Sequence, residues 1–92
     1  MTRPNPVRRV ERKDSFKSDF KKLPPEIQQH VIRAIQDLVR DPMPARLRFE
    51  KQGGYYTIHV TSNHSHKLSF ELDGDLARLR RVGTHKEIDR AP

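Results

Sequence analysis

Apolar residues recur with a helical period in the first half of the chain and with a period of two in the second half. Phe16, Phe20 and Leu23 stand at i, i+4 and i+7, while Lys13, Lys17, Lys21 and Lys22 fall largely away from that stripe. This predicts an amphipathic helix, with Asp14 or Ser15 placed to cap it. Pro24-Pro25 ends that helix and begins the next, because proline suits a first turn and not an interior. Ile27, Val31, Ala34, Ile35, Leu38 and Val39 form a second stripe, the clearest pattern in the chain, and Asp41-Pro42 stops it. Two antiparallel helices joined by a tight proline turn are expected. Ahead of them, Val7 to Glu11 reads as a short strand, although Val7 and Val10 do not share a face. Met1 to Pro6, with two prolines and no periodicity, reads as loose.

After Pro44 the period becomes two. Leu47 and Phe49 alternate with Arg48 and Glu50, and Gly53-Gly54 offers a turn with positive φ. Tyr56, Ile58 and Val60 form one face of the next strand, and Tyr55, Thr57, His59 and Thr61 the other. A polar turn spans Thr61 to His66, and a third strand carries Leu68, Phe70 and Leu72 opposite Lys67, Ser69 and Glu71. Asp73-Gly74 signals a hairpin, Ala77 to Val82 an arginine-rich fourth strand, and Gly83 to Pro92 a tail. The expected fold is α+β, one domain over residues 1–92. A short N-terminal strand and a helical hairpin pack on an antiparallel β-meander whose other face is polar and open.

Composition narrows the class. The 92 residues allow one small core, and 33% apolar against 34% charged residues is polar for a globular domain. No run of 18 apolar residues predicts a membrane span, and no apolar stretch near the start predicts a signal peptide. The absence of cysteine excludes a disulfide scaffold and a thiolate zinc site, so a cytoplasmic protein is expected. Nineteen Lys and Arg against twelve Asp and Glu leave +7. By segment this is +5 over residues 1–22, −1 over 23–44 and +3 over 45–92. Basic ends around a neutral middle are the footprint of a polyanion binder, either nucleic acid or an acidic protein.

Four of the five histidines fall between residues 59 and 85. Histidine is the side chain best suited to proton transfer near neutral pH. His59 and Lys67 take the polar parity of neighbouring strands, and Arg78, Arg80 and Arg81 belong to the next. A meander brings such groups to one face. Phosphodiester cleavage needs these types: a base for the 2′-hydroxyl, a cation for the phosphorane and an acid for the leaving oxygen. Arg48, Lys51, Arg78, Arg80, Arg81 and Lys86 are the expected RNA-binding cations, with Tyr55, His64 and His66 as accessory groups. Each has a plainer reading, since a lone strand histidine is commonly structural and a turn histidine solvated. His30 reads as a helix-flank residue. A metal pair from His64 and His66 has no third ligand fixed by spacing, so neither a metal nor another cofactor is expected.

The sequence resembles the RelE/ParE superfamily of bacterial type II toxins. The resemblance rests on Phe16, Phe20, Lys21, Lys22, Leu23 and Pro24, then Asp41-Pro42, Tyr56-Thr57-Ile58-His59-Val60, His66-Lys67-Leu68-Ser69-Phe70 and Val82-Gly83-Thr84-His85. It runs from about Phe16 to Asp89, and the last motif looks like the Gly-x-His that closes YafQ-type toxins. The resemblance implies a ribosome-dependent mRNA endoribonuclease neutralised by an acidic antitoxin. It marks His85 as general acid or base, with His59 and Lys67 where many members have arginine. Gly83 is expected to free the backbone so that His85 turns back over the open face. Asp89 stands where members often carry Phe or Tyr, which leaves base stacking unfilled. ParE-like members act on DNA gyrase, so a non-catalytic toxin or binding module is the alternative.

Overall fold

The computed structural model describes residues 6–92, so the expectation for residues 1–5 lies outside it. The chain runs β1 (Arg9–Arg12), α1 (Asp14–Lys21), α2 (Pro25–Leu38), a 3₁₀ turn (Ala45–Leu47), β2 (Glu50–Gln52), β3 (Tyr55–His59), β4 (His66–Asp73), β5 (Leu76–Thr84) and α3 (His85–Arg90). The five strands form one sheet in the order β1-β5-β4-β3-β2. β1 pairs parallel with β5, and the other pairs are antiparallel. The α+β fold and the helical hairpin on the meander are as expected.

The two stripes explain the layering. Phe16 of α1 and Val31, Ala34, Ile35 and Leu38 of α2 are buried against Ile58, Leu68, Phe70, Leu79 and Val82. Leu79 and Val82 are both in the core although three residues apart, which a period of two forbids. A bulge resolves this: Phe70 pairs with Leu79 and Ser69 with Arg81, leaving Arg80 as the extra residue. β1 covers the edge of β5 only from Leu76 to Leu79. Beyond it α1 takes over: Ser15 Oγ donates to the Arg80 carbonyl at 2.6 Å, and Asp19 Oδ2 accepts from the Val82 amide at 3.3 Å. An open strand edge is thus closed by helix side chains. The same bond corrects one expectation. Ser15 does not cap α1, whose N-cap is Lys13 with no side-chain cap bond.

Three further expectations are corrected. The alternation from Leu47 does not make a long strand, because Arg48 adopts a left-handed conformation (φ 49°) and β2 starts only at Glu50. The β4–β5 hairpin, by contrast, forms where Asp73-Gly74 signals it: Asp73 pairs with Leu76 across the loop Gly74-Asp75, with Gly74 at φ 62°. The tail is not free of structure, since His85–Arg90 is helical. Finally, the polar sheet face is not open. Ile88 of α3 is buried outside the main core cluster, and α3 contacts β4 and β5 from the face opposite α1 and α2.

Candidate active site

The β3–β4 register sets His59 beside Lys67 and Thr57 beside Ser69 on one face. All four are buried, with Lys67 only 3% exposed. α3 closes over this row, and its start is fixed by a capping box. Thr84 Oγ1 accepts from the Glu87 amide at 3.2 Å, and Glu87 Oε1 accepts from the Thr84 amide at 3.0 Å. The His85 amide donates to the Ser65 carbonyl at 2.9 Å, tying the helix to the turn between β3 and β4. Gly83 works by close approach and not by backbone freedom. It continues β5, and a Cβ there would lie 3.2 Å from Glu87 Oε1.

One turn into α3, Asp89 joins two of the expected residues. Its Oδ2 lies 2.8 Å from His85 Nδ1, and its Oδ1 accepts from Lys67 Nζ at 2.9 Å. The Lys67 ammonium holds the Asp89 carboxyl below the usual carboxylate range. Lys67 therefore faces Asp89 under the helix instead of presenting its charge to a phosphate, a correction of the role expected for it.

His59 is the centre of a histidine cluster. Its ring lies 4.5 Å from that of His64, edge-on, and 5.8 Å from that of His85, stacked. Both its ring nitrogens are buried, with no hydrogen-bond partner among the described residues. Burial, then the neighbouring His64 and Lys67, push its pKa below 6.5, so the imidazole is neutral at pH 7 and able to accept a proton. Beside it opens a cleft of about 400 Å³, walled by His59 and His64 on the strand side and by His30, Arg33 and Arg48 on the other. Arg48 and His64 are also the non-glycine residues with positive φ among those described, at 49° and 60°. Strained backbone of this kind concentrates at functional sites.

The remaining expected residues are placed elsewhere. Arg78 pairs with Asp73 at 3.0 Å and Glu11 at 3.5 Å. Arg80 pairs with Glu71 and lies 4.2 Å above the Tyr55 ring. Arg81 donates to Asp19 at 2.6 Å and 3.3 Å. These three are internal ion-pair partners and do not form a free cationic surface. Lys51 sits 5.8 Å over the Tyr56 ring on β2, and Lys86 is exposed on α3. His66 Nδ1 is bonded to Ser65 Oγ at 2.8 Å. Among the described residues no group of three or more His, Cys, Asp or Glu is placed to hold a metal ion.

No family model and no curated protein matches the sequence. Solved structures do match. The toxin–antitoxin complex RelB–RelE of Methanococcus jannaschii aligns with TM-score 0.66 and 25% identity, over 90% of this chain and 100% of that one. YafQ of E. coli aligns with TM-score 0.63 and 21% identity, over 88% and 97%. The RelE–RelB complex of Pyrococcus horikoshii aligns with TM-score 0.68 at 12% identity, over 85% and 94%. The chain is RelE-like in fold.

Within this RelE-like frame, two features of the site escape sequence reading. Arg33 and His30 of α2 reach the cleft across a sequence separation that no local pattern reveals. The Asp89 contact with Lys67 spans 22 residues. The helix that carries Asp89 did have a signal, the Thr84-x-x-Glu87 spacing of a capping box.

Proposed function

We propose that this RelE-like chain is the toxin of a type II toxin–antitoxin pair: a metal-independent endoribonuclease that cuts mRNA in the cytoplasm, on the ribosome. The observation that carries the reading is the clustering of His64 and His85 about His59, with His59 and His64 at one wall of a nucleotide-sized cleft and His85 stacked behind His59. Once substrate in the cleft reaches a ring nitrogen of His59, both of which are buried in the free protein, the neutral imidazole takes the proton of a 2′-hydroxyl and the 2′-oxygen attacks phosphorus. As the P–O5′ bond breaks, His85 gives a proton to the leaving oxygen, yielding a 2′,3′-cyclic phosphate and a 5′-hydroxyl. Arg48 at the cleft meets the charge on the phosphorane. The partner is an acidic antitoxin, which complements the +7 of this chain.

Induced expression with mapping of mRNA 5′ ends tests the reading. The parent chain should stop growth and create new 5′ ends, and His85→Ala should cut about 10²–10⁴-fold less. Undiminished cutting by His85→Ala would overturn the assignment. Growth arrest without new ends, with gyrase inhibited, would favour the ParE-like alternative. An adjacent acidic protein that co-purifies and restores growth would support the pair.

A further inference from the structure

We infer that Asp89 is a positioning residue that fixes His85 as the Nδ1–H tautomer and leaves Nε2 as its reactive nitrogen. The inference rests on the proposed role of His85 only for its catalytic consequence; the tautomer itself follows from geometry. A carboxylate has lone pairs and no proton to offer, and two lone pairs do not approach to 2.8 Å without repulsion, so the nitrogen at that distance from Asp89 Oδ2 carries the proton. His85 and Asp89 stand at i and i+4 on α3, which brings them to one helical face. The carboxylate is itself held, because Oδ1 is engaged by Lys67, whose ammonium is buried beneath the helix. An ammonium so placed needs an acceptor, and Asp89 is the acceptor it has among the described residues. The clasp therefore runs from sheet to carboxylate to imidazole. The His85 ring remains about half exposed and stacks on His59, with Nε2 unbonded among the described residues. Lys67 thus acts through Asp89, at one remove from the reacting atoms.

This assigns a purpose to the acidic residue that replaces the aromatic side chain suggested by the family pattern. An orienting carboxylate matters because an imidazole with the wrong tautomer presents N–H where a lone pair is needed, or the reverse.

Long-range ¹⁵N–¹H correlation of the histidine rings in the intact protein, at a pH where His85 is neutral, reads the tautomer directly. The expected spectrum shows the Nδ1–H form for His85, shifting toward Nε2–H in Asp89→Asn. The asparagine keeps an oxygen for Lys67 and can turn an N–H toward the ring. An Nε2–H form in the parent, or no change in Asp89→Asn, would overturn the inference. If Asp89→Asn does not fold, the parent spectrum still decides, and Lys67→Met/Asp89→Asn removes the buried charge and repeats the comparison. Cleavage supplies the second readout. Asp89→Asn should lower kcat by about 10²-fold or more with KM little changed, and Asp89→Glu should recover part of it. A chain that cuts no RNA yet shows the Nδ1–H form leaves the clasp standing and fails only the nuclease reading. Full cleavage by Asp89→Asn with a changed tautomer would remove the catalytic consequence alone.

Discussion

Burying an imidazole is costly when neither nitrogen is bonded, and His59, unbonded among the described residues, carries that cost at the centre of the site. Its protonation makes the cost larger. With the folded pKa below 6.5, the unfolded chain binds more protons in the window from that depressed value up to 6.5. Stability therefore rises with pH through this window and loses the whole contribution below it. The carboxyls of Asp89, Glu71 and Glu87, all held low by hydrogen bonds, act in the same direction at lower pH. Urea unfolding should show a lower midpoint at about pH 5 than at about pH 7.5, and His59→Leu should flatten the upper part of that decline. Equal midpoints at the two pH values would contradict the burial argument. By contrast Phe70→Ala, in the core and fully buried, should cost about 3–5 kcal/mol at either pH. The strand parity of His59 was legible in the sequence; its burial was not, because the rings packed on it come from His64 of the following turn and from His85 of a helix that begins 26 residues later.

That helix, α3, has six residues, too few to persist without tertiary contacts. It is held by the capping box, by buried Ile88 and by the Asp89–Lys67 pair. Thr84→Ala should therefore cost about 0.5–2 kcal/mol and act locally. Hydrogen exchange should quicken at the α3 amides while the amides of β4 and β5 keep their protection. Uniform loss across the sheet would show that α3 is not a separate unit. Asp89→Ala should add about 1–3 kcal/mol at most, since it strands the Lys67 ammonium but the carboxylate side of the pair is solvent-screened. At the element scale, sequence reading succeeded where a period has room to show. The stripes of α1 and α2 and the alternation in β3 and β4 are eight to fourteen residues of helix and five to eight of strand. It failed at β2, where left-handed Arg48 delays the strand until three residues remain. It also failed at α3, where six residues hold less than two turns and only the cap betrays the helix.

Across the whole molecule, the +7 charge locates no binding surface until the ion pairs are known. The arginines of β5 are spent on Glu11, Asp73, Glu71 and Asp19, which hold β1, β4 and α1 to the strand. Arg33 and Arg48 have no ion pair among the described residues and face the cleft beside His59. Net charge is a sum over the sequence, whereas available charge depends on contacts between residues far apart in it; Arg81 and Asp19 are separated by 62 positions. The two sets should respond oppositely to substitution. Arg81→Ala should lower stability by about 0.5–1 kcal/mol, because its pair with Asp19 also secures the β5 edge, and the pair is partly solvent-exposed. Arg33→Gln and Arg48→Gln should stay within about 0.5 kcal/mol of the parent in stability, as exposed positions do. They should nonetheless weaken binding to a short single-stranded RNA. Each lost phosphate contact lowers the slope of log affinity against log salt by roughly one. Fluorescence anisotropy of a 2′-O-methyl RNA between about 50 and 200 mM salt, with His85→Ala as the background to suppress cleavage, measures that slope. A slope unchanged by the Arg33→Gln/Arg48→Gln pair, but reduced by changes on β5, would move the RNA path from the cleft to the strand and would separate the histidines from the phosphate they are proposed to serve.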